Sequence, residues 1–90
     1  MKFKNLKIGV VGMGYVGLPL AIEFGKKVSV LGYDKNLLRI NQLKKKIDLN
    51  NDLSKKDFIN SRHLKFINKI LDLKKCNVFI ICVPTPINSK

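Results

Sequence analysis

The run from Lys7 to Gly17, KIGVVGMGYVG, limits what this chain can fold into more than any other feature. Lys7 to Gly12 is a short apolar stretch without alternation, stopped by glycine. Such a run suits a strand buried on both faces, which is the habit of parallel sheets. Tyr15 to Lys26 follows with Val16, Leu18, Leu20, Ile22 and Phe24 among small residues, and reads as a helix covered on most sides. Between them lies Gly12-Met13-Gly14-Tyr15-Val16-Gly17. Glycines at this spacing are weak evidence alone, but here they end a strand and open a helix, the context of a dinucleotide-binding turn. Gly12 permits the tight turn, Gly14 lets the backbone approach a pyrophosphate, and Gly17 lets the helix pack closely. Free amides of the first helical turn, at the positive end of the helix dipole, then face the phosphates. Pro19 is expected about one turn inside this helix, where proline breaks the local rule.

The remaining sequence repeats the alternation of strand and helix. Val28–Tyr33 is a second strand. Asp34–Lys46 reads as an amphipathic helix with Leu37, Leu38, Ile40 and Leu43 inward and Lys35, Arg39, Asn41 and Lys44 outward. After an Asn- and Asp-rich connection from Ile47 to Asp52, Ser54 is placed to cap a short helix, Lys55–Asn60. Leu64–Ile67 is a brief strand, Leu71–Lys75 a helical turn, and Asn77–Val83 a strongly β-prone strand. This order predicts an α/β fold: a Rossmann-type, doubly wound parallel sheet, incomplete, with about four strands of the N-terminal half. Leu64–Ile67 is expected at the outer edge and Asn77–Val83 on the far flank of Lys7–Gly12. The crevice between those last two strands is the switch point where ligands bind.

Two further positions point into that crevice. Asp34 ends the second strand, where a carboxylate accepts hydrogen bonds from adenosine ribose hydroxyls and repels a 2′-phosphate. That favours NAD over NADP, although Lys35 and Arg39 follow closely. The competing reading is that Asp34 caps the helix beginning at Lys35. Val83-Pro84-Thr85-Pro86 makes a rigid exit loop at the crevice mouth, with the Thr85 hydroxyl and amide available to a ligand.

Ninety residues allow one small domain and no separate catalytic half. The net charge of +12 sets sixteen Lys and two Arg against six acids, with the Lys scattered from Lys2 to Lys90. Phosphate-clamping and base-reading surfaces lean on Arg, so no specific nucleic-acid partner is expected. Cys76 and Cys82 lack a metal-ligand spacing and His63 is the sole histidine, so no metal site and no disulfide framework are expected. A basic start, Met1–Lys7, precedes an uncharged stretch, Ile8–Ile22, but its glycines and Pro19 argue against a signal peptide. No membrane partner and a cytoplasmic location are expected.

KIGVVGMGYVGLPLAIEFGKKVSVLGYD, NLLRINQLKKKID, LKF and CNVFIICVPTPI together resemble the N-terminal part of the UDP-glucose/GDP-mannose dehydrogenase family. The resemblance runs from about Lys7 to Ile87 and is nearest to the bacterial branch acting on UDP-N-acetylhexosamines. Lys46 departs from it, where relatives often carry glycine. The resemblance implies an NAD-dependent oxidation of a sugar C6 hydroxyl to a carboxylate, through a cysteine-bound thiohemiacetal and thioester. It implies that residues 1–90 are the N-terminal part of the NAD-binding domain. Catalytic cysteine and UDP-sugar pocket lie later in the family, in full-length enzymes expected to be homo-oligomers. Neither Cys76 nor Cys82 matches that nucleophile, so no catalytic residue is assigned and the chain alone is expected to be inactive. By position, Gly12, Gly14, Tyr15, Val16 and Gly17 correspond to the pyrophosphate turn and Asp34 and Arg39 to the adenosine end. Val83, Pro84 and Thr85 correspond to the loop facing the rest of the cofactor. The alternative is a stand-alone regulatory nucleotide-binding module of the potassium-transport type, which shares the glycines and the acid but not GYVGLPLA or VPTP.

Overall fold

A computed structural model describes residues 5–45 and 55–82. Strands β1 (Lys7–Val11), β2 (Ser29–Tyr33), β3 (Leu64–Ile67) and β4 (Val78–Ile81) form one sheet in the order β3-β2-β1-β4. All three pairings are parallel, with Val10 opposite Gly32 on one side and Ile80 on the other. This is the predicted α/β architecture and the predicted strand order. Helices α1 (Gly17–Gly25), α2 (Leu37–Lys44) and α3 (Lys55–Asn60), with a 3₁₀ helix at Ile70–Lys75, make the connections.

The core forms where alternate strand residues meet the helices. Ile8, Val10 and Val30 are buried with Leu18, Ala21 and Ile22 of α1, Ile40 and Leu43 of α2, and Phe58 of α3. Val78 and Ile80 of β4 join the same cluster. Successive strand residues face opposite ways, so Val11, Leu31, Tyr33, Phe79 and Ile81 lie on the other face. There the 3₁₀ helix covers Gly9: a Cβ at Gly9 would lie 3.0 Å from Leu73 Cδ2 and 3.3 Å from Cys76 Sγ. Phe79 and Ile81 stay 51% and 63% exposed on that face.

Two helix boundaries differ from the sequence expectation, and each has a reason. Helix α1 starts at Gly17, two residues after Tyr15, which places Pro19 third in the helix. The amides on either side of this proline, those of Leu18 and Leu20, donate to the Gly14 and Val16 carbonyls at 3.2 and 3.4 Å, so Pro19 forfeits the bond between them, to the Tyr15 carbonyl, and the regular helix begins only at Gly17. Helix α2 starts at Leu37, capped by Asn36, whose side chain accepts from the Arg39 amide at 3.2 Å. Asp34 is therefore not the cap of this helix. The inward face of α2 is also narrower than expected: Ile40 and Leu43 are buried, whereas Leu37 and Leu38 are 53% and 67% exposed. Arg39 turns inward beside them instead. The expected cap Ser54, the departure at Lys46 and the exit loop Val83-Pro84-Thr85 lie outside the described residues.

Candidate cofactor site

The site is built around the turn between β1 and α1. Gly12 has φ 103°, a left-handed conformation that side chains resist, and its amide donates to the Tyr33 carbonyl at 2.7 Å. The backbone thus reverses at the top of β1 while tied to β2. A Cβ at Gly17 would overlap the Gly12 carbonyl oxygen and lie 3.2 Å from Cys82 Cβ. Glycine here lets α1 start directly against the ends of β1 and β4. Gly14 is different: among the described residues a Cβ there would meet nothing within 4 Å, and they leave the space above it open.

Val16 occupies the cap position of α1 without a side-chain hydrogen bond, and no acid lies in the first turn. Among the described residues, the amides of Gly14, Tyr15, Val16 and Gly17 have no acceptor. Tyr15 and Val16 are largely exposed. Four consecutive unfilled donors at a helix N-terminus, with no carboxylate competing for them, suit a phosphate group.

Asp34 and Arg39 reach the same turn from the end of β2 and the start of α2. Asp34 Oδ2 accepts from the Met13 amide at 3.0 Å, and Oδ1 accepts from the Asn36 amide at 2.9 Å. Arg39 Nε donates to the Met13 carbonyl at 2.9 Å. Of the predicted site residues, Gly12, Gly14, Tyr15, Val16, Gly17, Asp34 and Arg39 therefore come together at one end of the sheet. Val83, Pro84 and Thr85 lie outside the described residues; the last residue described before them, Cys82, donates its amide to the Val11 carbonyl at 2.7 Å. Sequence reading passed over Met13 and Asn36. Met13 is fully buried, with its sulfur 2.8 Å from where a Gly32 Cβ would stand. Its signal was visible only as a large apolar residue inside a glycine turn.

Elsewhere, a cavity of about 540 Å³ opens beside β3, two strands from β1, between Leu43, Phe58, Arg62 and Phe66. Both cysteines are free thiols. Burial raises the Cys76 thiol above its ordinary pKa, with the Lys7 charge opposing the rise. Among the described residues no three metal-ligating side chains cluster, and no helix is long and apolar enough to cross a membrane.

Residues 6–90 match the UDP-glucose/GDP-mannose dehydrogenase family, NAD binding domain. The chain belongs to this family. Its region is the family's NAD-binding domain, and the cofactor is NAD. The open space above Gly14, the four free amides and the nearby Asp34 carboxylate fit a dinucleotide. Family relatives include UDP-N-acetyl-D-glucosamine 6-dehydrogenases of Salmonella typhi, 49% identical over 85 residues, and Pseudomonas aeruginosa, 51% identical over 85 residues. Each match covers 94% of this chain and 20% of the relative, so the chain spans about one fifth of their length. A solved structure of the UDP-N-acetyl-mannosamine dehydrogenase Cap5O from Staphylococcus aureus superposes with a TM-score of 0.76 at 36% identity. That superposition covers 93% of this chain and 21% of Cap5O.

Proposed function

We propose that residues 1–90 are the N-terminal part of the NAD-binding domain of a nucleotide-sugar 6-dehydrogenase. The substrate class is a UDP-N-acetylhexosamine or UDP-glucose, whose C6 hydroxyl is oxidised to the carboxylate of a uronic acid. The names of the relatives support the sugar class, and polysaccharide precursor synthesis in the cytoplasm is the matching role. The observation that carries the cofactor part is the row of unfilled amides at Gly14–Gly17 facing open space beside Asp34.

NAD supplies a hydride acceptor when bound. This chain supplies its holding. Amides of Gly14, Tyr15, Val16 and Gly17 donate to the pyrophosphate, the Asp34 carboxylate accepts from the adenosine ribose hydroxyls, and Arg39 lies at the adenosine end. Val83, Pro84 and Thr85, outside the described residues, are assigned to the rest of the cofactor by the family resemblance alone. A 2′-phosphate would stand against the Asp34 carboxylate, which favours NAD over NADP. No residue here is assigned to the chemical step. Cys76 is buried and follows a 3₁₀ helix on the face opposite α1, and Cys82 packs against Gly17. The nucleophile and sugar pocket belong to sequence outside the matched fifth, in an assembly expected to be a homo-oligomer. The family match favours this reading over a regulatory module.

Titration of the chain with NAD and with NADP, followed by protein-detected NMR, tests the cofactor reading. Shifts at Gly12–Gly17 and Asp34, stronger with NAD, are expected. A folded chain without such shifts would overturn it. With NAD and UDP-N-acetylglucosamine together, the 90-residue chain is expected to form no NADH.

A further inference from the structure

Four hydrogen bonds close into a ring at the edge of the glycine turn. The Met13 amide donates to Asp34 Oδ2, and the Met13 carbonyl accepts from Arg39 Nε. The Arg39 amide donates to Asn36 Oδ1, and the Asn36 amide donates to Asp34 Oδ1. The ring runs Asp34, Met13, Arg39, Asn36 and back to Asp34, with every link between 2.9 and 3.2 Å. Its two contacts with Met13 are partly buried and join residues 21 and 26 positions apart.

Both peptide groups flanking Met13 are therefore held from outside the turn. The Met13 side chain is held too, because it is fully buried against Gly32 of β2. A residue pinned at its amide, carbonyl and side chain is a fixed anchor, and the four free amides begin at the next residue. Their direction depends on that anchor. Two members of the ring carry charge, and hydrogen bonds with a charged partner are the stronger kind.

We propose that Asn36 is a positioning residue for the cofactor turn. It aims the donors of Gly14–Gly17 without touching the cofactor, by holding Arg39 on the Met13 carbonyl and Asp34 on the Met13 amide. Asn36 thereby does more than cap α2: the cap bond and the Asx-type bond to Asp34 are two links of one closed circuit. The inference deepens the NAD-binding reading and rests on it for its effect on affinity, but the ring is observable in the free protein.

The test compares Asn36→Ala, Asn36→Ser and Arg39→Ala. Free-protein NMR records the Gly14–Gly17 amide resonances and the hydrogen-exchange protection of the Met13 amide. NAD titration and thermal melts accompany it. Asn36→Ala is expected to lower Met13 protection, move the Gly14–Gly17 resonances and weaken NAD binding about tenfold. Asn36→Ser keeps an oxygen at the cap and is expected to restore most of each effect. Combined with Arg39→Ala, Asn36→Ala is expected to add little, because either change opens the ring. A variant that melts lower while its turn resonances, Met13 protection and NAD affinity stay put would overturn the proposal and leave Asn36 a helix cap only. Failure of the wild type to bind NAD would count against the cofactor reading, while Met13 protection would still decide the ring.

Discussion

Adding one methyl group at Gly17 drives a Cβ into the Gly12 carbonyl, whereas the same methyl at Gly14 meets open space. The two substitutions therefore separate what the fold requires from what the ligand requires. Gly17→Ala is expected to destabilise the chain by about 1–3 kcal/mol through overpacking. Gly14→Ala should leave the urea midpoint nearly unchanged yet weaken NAD binding, because its Cβ occupies the approach of the pyrophosphate. Urea unfolding and NAD titration on both variants check this pair. Cys76 carries a pH effect of definite sign. Burial raises its thiol pKa in the folded chain, so the unfolded chain loses its proton first. This part of the stability is complete below the ordinary thiol pKa and declines as pH rises through it towards the folded value. Denaturant unfolding between neutral and alkaline pH is expected to fall more steeply for wild type than for Cys76→Ala.

Among the elements, α2 departs furthest from a simple amphipathic reading. Four apolar residues matched the inward phase, yet Leu37 and Leu38 are exposed and Arg39 takes part of the inward face. The spacing of apolar residues located the helix but did not settle its rotation. A guanidinium with an acceptor 2.9 Å away on another segment outweighs the gain from half-covering two leucines. The energetic contrast is measurable by chemical denaturation. Ile40→Ala leaves a cavity in the core and should cost about 2–5 kcal/mol, while Leu38→Ala should stay within about 0.5 kcal/mol, as exposed substitutions usually do. Helix α1 teaches the reverse lesson. Its apolar pattern begins at Tyr15, but Pro19 has no amide to donate to the Tyr15 carbonyl, and the regular helix starts two residues later, at Gly17.

At the scale of the whole molecule, the described residues cover the sheet unevenly. One face carries α1, α2 and α3; the other carries the 3₁₀ helix, with Phe79 and Ile81 of the edge strand β4 exposed. An all-parallel sheet is ordinarily covered on both faces, and an edge strand with apolar side chains invites pairing. The 90-residue chain is therefore expected to self-associate as its concentration rises. Replacing Phe79 and Ile81 together by Lys should shift it towards monomer in sedimentation velocity, and unchanged association would exclude this face. The charge of +12 opposes association at low ionic strength, so added salt should strengthen it.

Strand order, the parallel sense of the sheet, the position of the glycine turn and the acid at the end of β2 were legible in the chain of residues. Each is written locally, in an apolar run, a glycine spacing or a turn signal that neighbouring residues enforce on one another. The inward turn of Arg39, the anchoring of Met13 and the second use of Asn36 were not. Those depend on Met13 meeting Asp34 and Arg39 across 21 and 26 positions. Only packing β1 beside β2 brings such groups within hydrogen-bonding distance, and no local pattern records which acceptor will then be nearest.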